Sequence, residues 1–249
     1  MNIALFSFAL LPGLAVGSFL NVVASRVPLH IPIGMSRSRC MCCSHELSAW
    51  DNIPLVSYAF LRGRCRHCAA HIPWRYPLVE AVTALLVGLC VLEFGATPEA
   101  LVAAGFCVVL VAISAIDIEH RIIPNRIVIP AAVAALVAQT ILHPSPEWAI
   151  AALGASGFLL AAALAYPRGM GMGDVKLALL LGAMLGRDVT VALMVGCLAA
   201  LVPSAVLAVR HGSRARKIAI PFAPFLAFGA VIALFFGSTI LGLYLGLFG

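Results

Sequence analysis

"LVAAGFCVVLVAISAIDIEHRIIPNRIVIP", residues 101–130, opens with an apolar run of membrane-spanning length, ends that run at a carboxylate, Asp117, and restarts after Ile123-Pro124. A stretch of about 20 apolar residues crosses a bilayer as a helix, because only a closed main-chain hydrogen-bonding pattern satisfies the backbone in lipid. Proline does least harm at a helix start, so Pro124 marks the beginning of the next span. The same texture covers the whole chain. Of its 249 residues 63% are hydrophobic and only 10% charged, more apolar surface than a soluble core of this size can bury. The predicted fold class is an all-α polytopic membrane protein.

Eight spans are expected, at roughly 3–25, 77–94, 100–118, 127–142, 148–166, 174–186, 189–209 and 222–247. The sixth is short and the eighth long, which leaves a partly re-entrant or broken helix open at either place. The first apolar stretch outruns a signal-peptide core and continues into "GSFLNVVASR" instead of a small-residue cleavage site, so it reads as a retained first span.

Charge sets the orientation. When loops alternate across the spans, one side receives Arg26, Arg37, Arg39, Arg62, Arg64, Arg66, Arg75, Arg121, Arg126, Arg168, Lys176, Arg210, Arg214, Arg216 and Lys217, and the other only Arg187. Fifteen of sixteen basic residues on one side make that side the cytoplasm. Both termini then lie outside, with Glu93, Glu99, Glu147 and Asp188 in short external loops. Topology accounts for the net charge of +6, and no motif supports a nucleic-acid partner.

The longest cytoplasmic piece is residues 26–76. It divides the chain into a first helix (1–25), this loop segment, and a helical remainder (77–249). Cys40 and Cys43 form one C-x2-C pair and Cys65 and Cys68 another, 21 residues apart. Four thiolates in paired knuckles are the tetrahedral set that suits zinc, and a metal would staple a segment too small for its own core. Disulfides are disfavoured in a reducing cytosol. Cys42 leaves the ligands of the first knuckle open, since it could replace Cys40 or Cys43. Cys90, Cys107 and Cys197 fall within apolar spans and are expected to be small core residues.

Asp117 ends one span, and Asp174 begins another directly after Gly171-Met172-Gly173. Each has an ordinary reading: Asp174 as a helix N-cap favoured by the macrodipole, Asp117 as an interfacial partner of Arg121 four residues on. Ionisable groups at the edge of membrane spans are costly and mark function by default. Two carboxylates at one membrane face, if brought close, share a proton: one activates water while the other donates to a carbonyl. The dipole favours Asp174 as the ionised partner.

The chain resembles the type IV prepilin peptidases, the leader peptidase/N-methyltransferase enzymes of type IV pili and type II secretion. The resemblance rests on "GSFLNVVASRVP" (17–28), "LSAWDNIPLVSYAFLRGRCRHC" (47–68), "RYPLVE" (75–80), "DIEHRIIPN" (117–125), "GMGDVKL" (171–177) and "PFAPFLAFGA" (221–230). It implies a GxGD-type aspartyl protease with Asp117 and Asp174 catalytic. It further implies cleavage of basic prepilin or pseudopilin leaders after a glycine at the cytoplasmic face of the bacterial inner membrane. Methylation of the new N-terminus with S-adenosylmethionine and a zinc-type cysteine domain follow from the same resemblance. The first knuckle departs from the usual C-P-x-C form at Met41 and adds Cys42.

Gly171 and Gly173 are expected either to let the backbone approach a substrate or merely to loosen the helix start. Glu46, Asp51, Glu80 and Glu119 are the remaining cytoplasmic carboxylates, open to a basic leader or to nearby arginines. Two rival readings are a proton-coupled transporter, which an internal repeat would favour and this chain lacks, and a zinc-stapled scaffold.

Overall fold

The computed structural model describes residues 2–34, 38–166, 170–212 and 220–248. Arg37, Arg168, Arg214, Arg216 and Lys217, five of the cations assigned to the cytoplasmic side, lie outside the described residues. The helices are α1 (Asn2–Arg26), α2 (Val56–Phe60), α3 (Arg75–Phe94), α4 (Pro98–His120), α5 (Asn125–Leu142), α6 (Glu147–Ala165), α7 (Met172–Leu185), α8 (Val189–His211) and α9 (Ala223–Phe248).

Seven helical stretches among the described residues are long and apolar enough to cross a membrane. One of them, Met172–Arg210, is two helices, α7 and α8, joined by the 3-10 turn Gly186–Asp188. The eight expected spans therefore correspond to α1 and α3 to α9.

The chain divides into two compact units, residues 1–115 and 116–249. In the first, α1 packs on α3 through glycine. A Cβ on Gly13 would lie 2.7 Å from Ala84 Cα, and one on Gly17 would lie 2.7 Å from Glu80 Cα. One turn apart on one helix face, the two glycines let the backbones meet, which is how helices associate where lipid removes the hydrophobic drive. Leu20, Val111 and Ala112 fill the space beside them, packed by Val16, Val79 and Val82. Cys90 and Cys107 are fully buried with their sulfurs 3.8 Å apart, as small core residues should be.

In the second unit α7 is the central helix, with ten of its 14 residues buried. At a rise of 1.5 Å per residue it is only about 21 Å long. It tolerates that length because protein, not lipid, surrounds it and satisfies its ends. Gly182 leaves no room for a side chain, since a Cβ there would sit 2.5 Å from Ala152 Cα on α6. Gly229 of α9 likewise abuts Gly196 N of α8, 2.7 Å from where its Cβ would be. Gln139 of α5, a buried amide, donates Nε2 to the Met184 carbonyl at 3.1 Å. The outer faces are apolar and open, as on Ile150, Leu153 and Phe158 of α6, each about two-thirds exposed, which is the surface a lipid-facing helix presents. Cys197 belongs to this surface. It is exposed on α8, contrary to its expected place in the core, because the helix period turns it outward, away from Ala192 and Gly196 at the α9 contact.

Candidate active site

Asp117 sits one turn before the end of α4. The helix closes there because Arg121 turns to φ +54° and its N–H bonds the Asp117 carbonyl at 2.9 Å. The Asp117 side chain turns inward instead and the residue is only 6% exposed. Its Oδ2 accepts the Ala223 main-chain N–H at 3.1 Å, and the Phe222 N–H also bonds the carboxylate. Both donors lie at the start of α9, where unpaired N–H groups and the helix dipole favour an anion.

Asp174 is the third residue of α7 and 8% exposed. Gly171 is extended (φ −83°, ψ 147°); its N–H reaches Asp174 Oδ2 at 3.3 Å while its carbonyl accepts the Asp174 N–H at 3.1 Å. Asp174 is thus not the N-cap, which is Gly171; from the third helical position its carboxylate reaches back to the N-cap N–H. A solvent-exposed cap, however, would not be buried within reach of a second carboxylate, and the charge of Asp117 acts directly on Asp174. Each aspartate accepts main-chain N–H groups at a helix start, so the dipole does not single out Asp174 as the anion.

Gly173 has a packing reason. A Cβ there would meet Ile123 Cβ at 3.0 Å, so glycine lets the start of α7 sit against the Ile122–Pro124 link between α4 and α5 without displacing Ile123. Gly171 is freer, its nearest neighbour being Asp174 Oδ2 at 3.5 Å. Lys176 Nζ then donates to Asn125 Oδ1 at 2.8 Å and ties the first turns of α7 and α5 together. The end of α4 and the starts of α5, α7 and α9 thereby converge on two buried, interacting carboxylates. Carboxylates close enough to share one proton suit general acid–base chemistry on a peptide. The N–H groups of Phe222 and Ala223 escaped sequence reading, because main-chain donors carry no residue-type signal; Pro221 and Pro224 mark a helix start there and nothing more.

A second cluster lies in the loop segment. The sulfurs of Cys40, Cys43, Cys65 and Cys68 all lie within 4.8 Å of one another, a group that could hold a metal ion. The two knuckles have one geometry. Cys40 N–H bonds His45 O (2.9 Å) and Ser44 N–H bonds Cys40 O (2.9 Å), as Cys65 N–H bonds Ala70 O (2.9 Å) and Ala69 N–H bonds Cys65 O (3.0 Å). Ser44 and Ala69 share φ +56°, and bridges Arg39–Glu46 and Arg64–His71 close the two turns. In this register Cys42 matches His67, and it is Cys40 and Cys43 whose sulfurs join those of Cys65 and Cys68.

Main-chain N–H groups of Cys43 and Cys42 pull the Cys40 thiol down to about 6. The Cys68 thiol is drawn down by the Ala70 N–H, but burial and hydrogen bonds with Cys43, Cys65 and Cys40 push it up to about 12. Four crowded thiols cannot all ionise without a cation.

The other carboxylates are occupied. Asp51 takes Arg66 Nη2 at 2.8 Å and Ser48 Oγ at 2.8 Å. Burial would raise the Asp51 carboxyl, yet the Ser48 hydroxyl and the Arg66 guanidinium outweigh it and hold it below the usual range. Glu46 pairs with Arg39 at 2.8 Å, and Glu119 lies 3.9 Å from His120 Nε2. Glu80 is buried on α3, accepting the Leu55 N–H at 2.9 Å and bonding Ser18.

Residues 11–94 match the bacterial peptidase A24 N-terminal domain, and residues 104–209 match the type IV leader peptidase family. A prepilin leader peptidase/N-methyltransferase of Burkholderia pseudomallei (strain 1026b) is 35% identical, over 93% of this chain and 85% of that protein. Proteins of the same name from Bacillus subtilis (strain 168), 34% identical over 94% of this chain and 95% of theirs, and Pseudomonas aeruginosa, 35% over 95% and 92%, are similar throughout. No solved structure matches the chain significantly. With its buried aspartate pair lying in the matched region and relatives aligned almost end to end, the chain belongs to the type IV leader peptidase family.

Proposed function

We propose that the chain is a membrane aspartyl endopeptidase that removes the basic leader of type IV prepilins or pseudopilins after a glycine, at the cytoplasmic face of the bacterial inner membrane. The observation that carries this reading is the buried, mutually interacting pair Asp117 and Asp174 at the ends of α4 and α7. The charge asymmetry of the loops supports the cytoplasmic placement. A prepilin is itself a membrane helix with a cytoplasmic leader, so its scissile peptide meets the enzyme at that face.

The pair carries one proton. Its ionised member takes a proton from water, whose oxygen attacks the scissile carbonyl; its protonated member donates a hydrogen bond to the carbonyl oxygen. Collapse of the tetrahedral intermediate breaks the C–N bond, and the abstracted proton leaves with the amine. The main-chain N–H groups of Ala223 and Gly171 hold each carboxylate in place throughout. Alanine at Asp117 or Asp174 should leave a co-expressed prepilin uncut while the protein still reaches the membrane; cleavage by both variants would remove the pair from the mechanism.

Within this division, residues 77–249 carry the protease and segment 26–76 is a zinc-held domain following the first helix. Zinc fits the four thiols. A tetrahedron with Zn–S bonds of about 2.3 Å has sulfur edges of about 3.8 Å, and Cys40 and Cys68 stand 3.7 Å apart. When bound, the ion supplies a structural cross-link. The names of the relatives add N-methylation. We assign this chain the same second step, with S-adenosylmethionine as methyl donor and segment 26–76 as its seat. Incubation of purified enzyme with prepilin and the donor should yield mature pilin heavier by one methyl group; unmethylated pilin as the sole product removes the transferase half.

A further inference from the structure

At the end of α7 remote from Asp174, α6 and α8 diverge and enclose a cavity of about 830 Å³. Its walls are apolar: Ile150, Gly154 and Phe158 from α6, Leu193, Met194 and Cys197 from α8. Its mouth carries opposite charges, Glu147 and Arg187, with the Asp188 carboxylate beside both. Among the described residues of this unit, Arg187 is the Lys or Arg at that end; Arg121, Arg126, Lys176 and Arg210 stand at the opposite ends of their helices. The mouth is fixed. Arg187 N–H donates to Glu147 Oε1 at 2.9 Å, Gly186 turns at φ +56° against Glu147 and Trp148, and Trp148 Nε1 donates to the His143 carbonyl at 2.9 Å. An indole and an arginine side by side are the groups that settle at the headgroup level of a bilayer.

Depth decides what fits. From Arg187 to Cys197 and from Glu147 to Phe158 the groove runs about three helical turns, roughly 15 Å, which is half the hydrocarbon thickness of about 30 Å. A substrate helix spanning the membrane would need a groove about twice as deep. An acyl chain of one leaflet needs this one. The charged pair completes the match, because a phosphate fits the guanidinium and a primary ammonium fits the carboxylate.

We propose that the cleft between α6 and α8 binds one phospholipid with a phosphoethanolamine headgroup, in the leaflet away from the aspartates. Its phosphate rests on Arg187, its amine on Glu147, and an acyl chain lies between Gly154 and Cys197. The lipid wedges α6 and α8 apart while leaving α7 packed behind them.

The test uses the full chain in phosphatidylcholine nanodiscs doped with a photoactivatable phosphatidylethanolamine bearing its diazirine on an acyl chain. Labelled peptides should concentrate in residues 150–158 and 189–197. Gly154→Leu fills the groove without a clash, since nothing lies within 4 Å of a Cβ at Gly154, and should cut that labelling at least about tenfold, a loss of 1.4 kcal/mol or more in binding. Arg187→Ala should reduce it several-fold, as should replacing the probe by a photoactivatable phosphatidylcholine, whose quaternary amine has no N–H for Glu147. Prepilin cleavage and the melting temperature report that each variant is folded. Labelling spread evenly over the lipid-facing helices and indifferent to Gly154→Leu overturns the proposal. So does a cross-link from Cys197 to a cysteine placed in the apolar segment of prepilin, which would give the groove to the substrate.

Discussion

Asp117 Oδ2 and the Ala223 main-chain N–H, 106 positions apart in sequence, form a buried hydrogen bond of 3.1 Å where the end of α4 meets the start of α9. This bond couples the last turn of α4 to the first turn of α9. Ala223 is buried, and its N–H finds its partner in Asp117.

Replacing Ala223 by proline removes that donor at a first-turn position where proline suits a helix. Cleavage should fall about tenfold or more, the usual cost of a lost hydrogen bond to a charged group, with little change in membrane level. The ratio of mature to unprocessed pilin on a gel, read against a time course, measures it.

Asp117→Asn and Asp174→Asn should each lower kcat by about three orders of magnitude or more, and the double variant should be hardly worse, because residues acting as a unit are not additive. Additive losses in a purified cleavage assay would mean that the two carboxylates work independently.

Gly173→Ala should impair processing severely, since the new Cβ meets Ile123 Cβ at 3.0 Å, and Ile123→Ala should restore part of it by vacating that space. Gly171→Ala should be mild, its nearest contact being 3.5 Å away. Failure of Ile123→Ala to rescue would shift the need for glycine from packing to substrate contact.

Serine at Cys40, Cys43, Cys65 or Cys68 should release bound zinc, while Cys42→Ser should retain one equivalent per chain, because Cys42 occupies the register position of His67 outside the sulfur group. Metal analysis of purified protein decides between them.

Asp51 is held below the usual carboxylate range, so the folded state binds its proton more weakly than the unfolded chain does. Its contribution to stability is complete above the unfolded value of about 4 and disappears as pH falls through the folded value. Because Arg66 is exposed, that contribution should stay under about 1 kcal/mol. Asp51→Asn should therefore sensitise segment 26–76 to limited proteolysis near neutral pH, and the difference from the parent chain should vanish in strong acid.

The transmembrane architecture was legible from residues 1–249 because lipid imposes one local rule, about 20 apolar residues per helix with its hydrogen bonds closed internally. Charge at the span ends expressed an insertion preference equally local to each loop. The cysteine spacing exposed a group that could hold a metal for the same reason: a knuckle is built within four residues. Asp117 and Asp174 were visible because a carboxylate at the edge of an apolar run is costly.

Three features lay beyond sequence reading. Cys197, in a run as apolar as those of Cys90 and Cys107, faces outward because helix pairing, not local hydropathy, chooses which side is buried. Asp117 is anchored by main-chain groups of α9, and a backbone N–H has no identity in a sequence. Gly173, open in sequence to substrate approach or a loosened helix start, makes a close contact with Ile123 that neither reading contains. The sequence alone determined the membrane spans, the two cysteine pairs and the two aspartates as candidates, since each depends on residues near one another in the chain. Only the tertiary structure decided that the aspartates are buried close enough to act on each other, which donors hold them and where the α6–α8 groove opens, because those depend on contacts between distant helices.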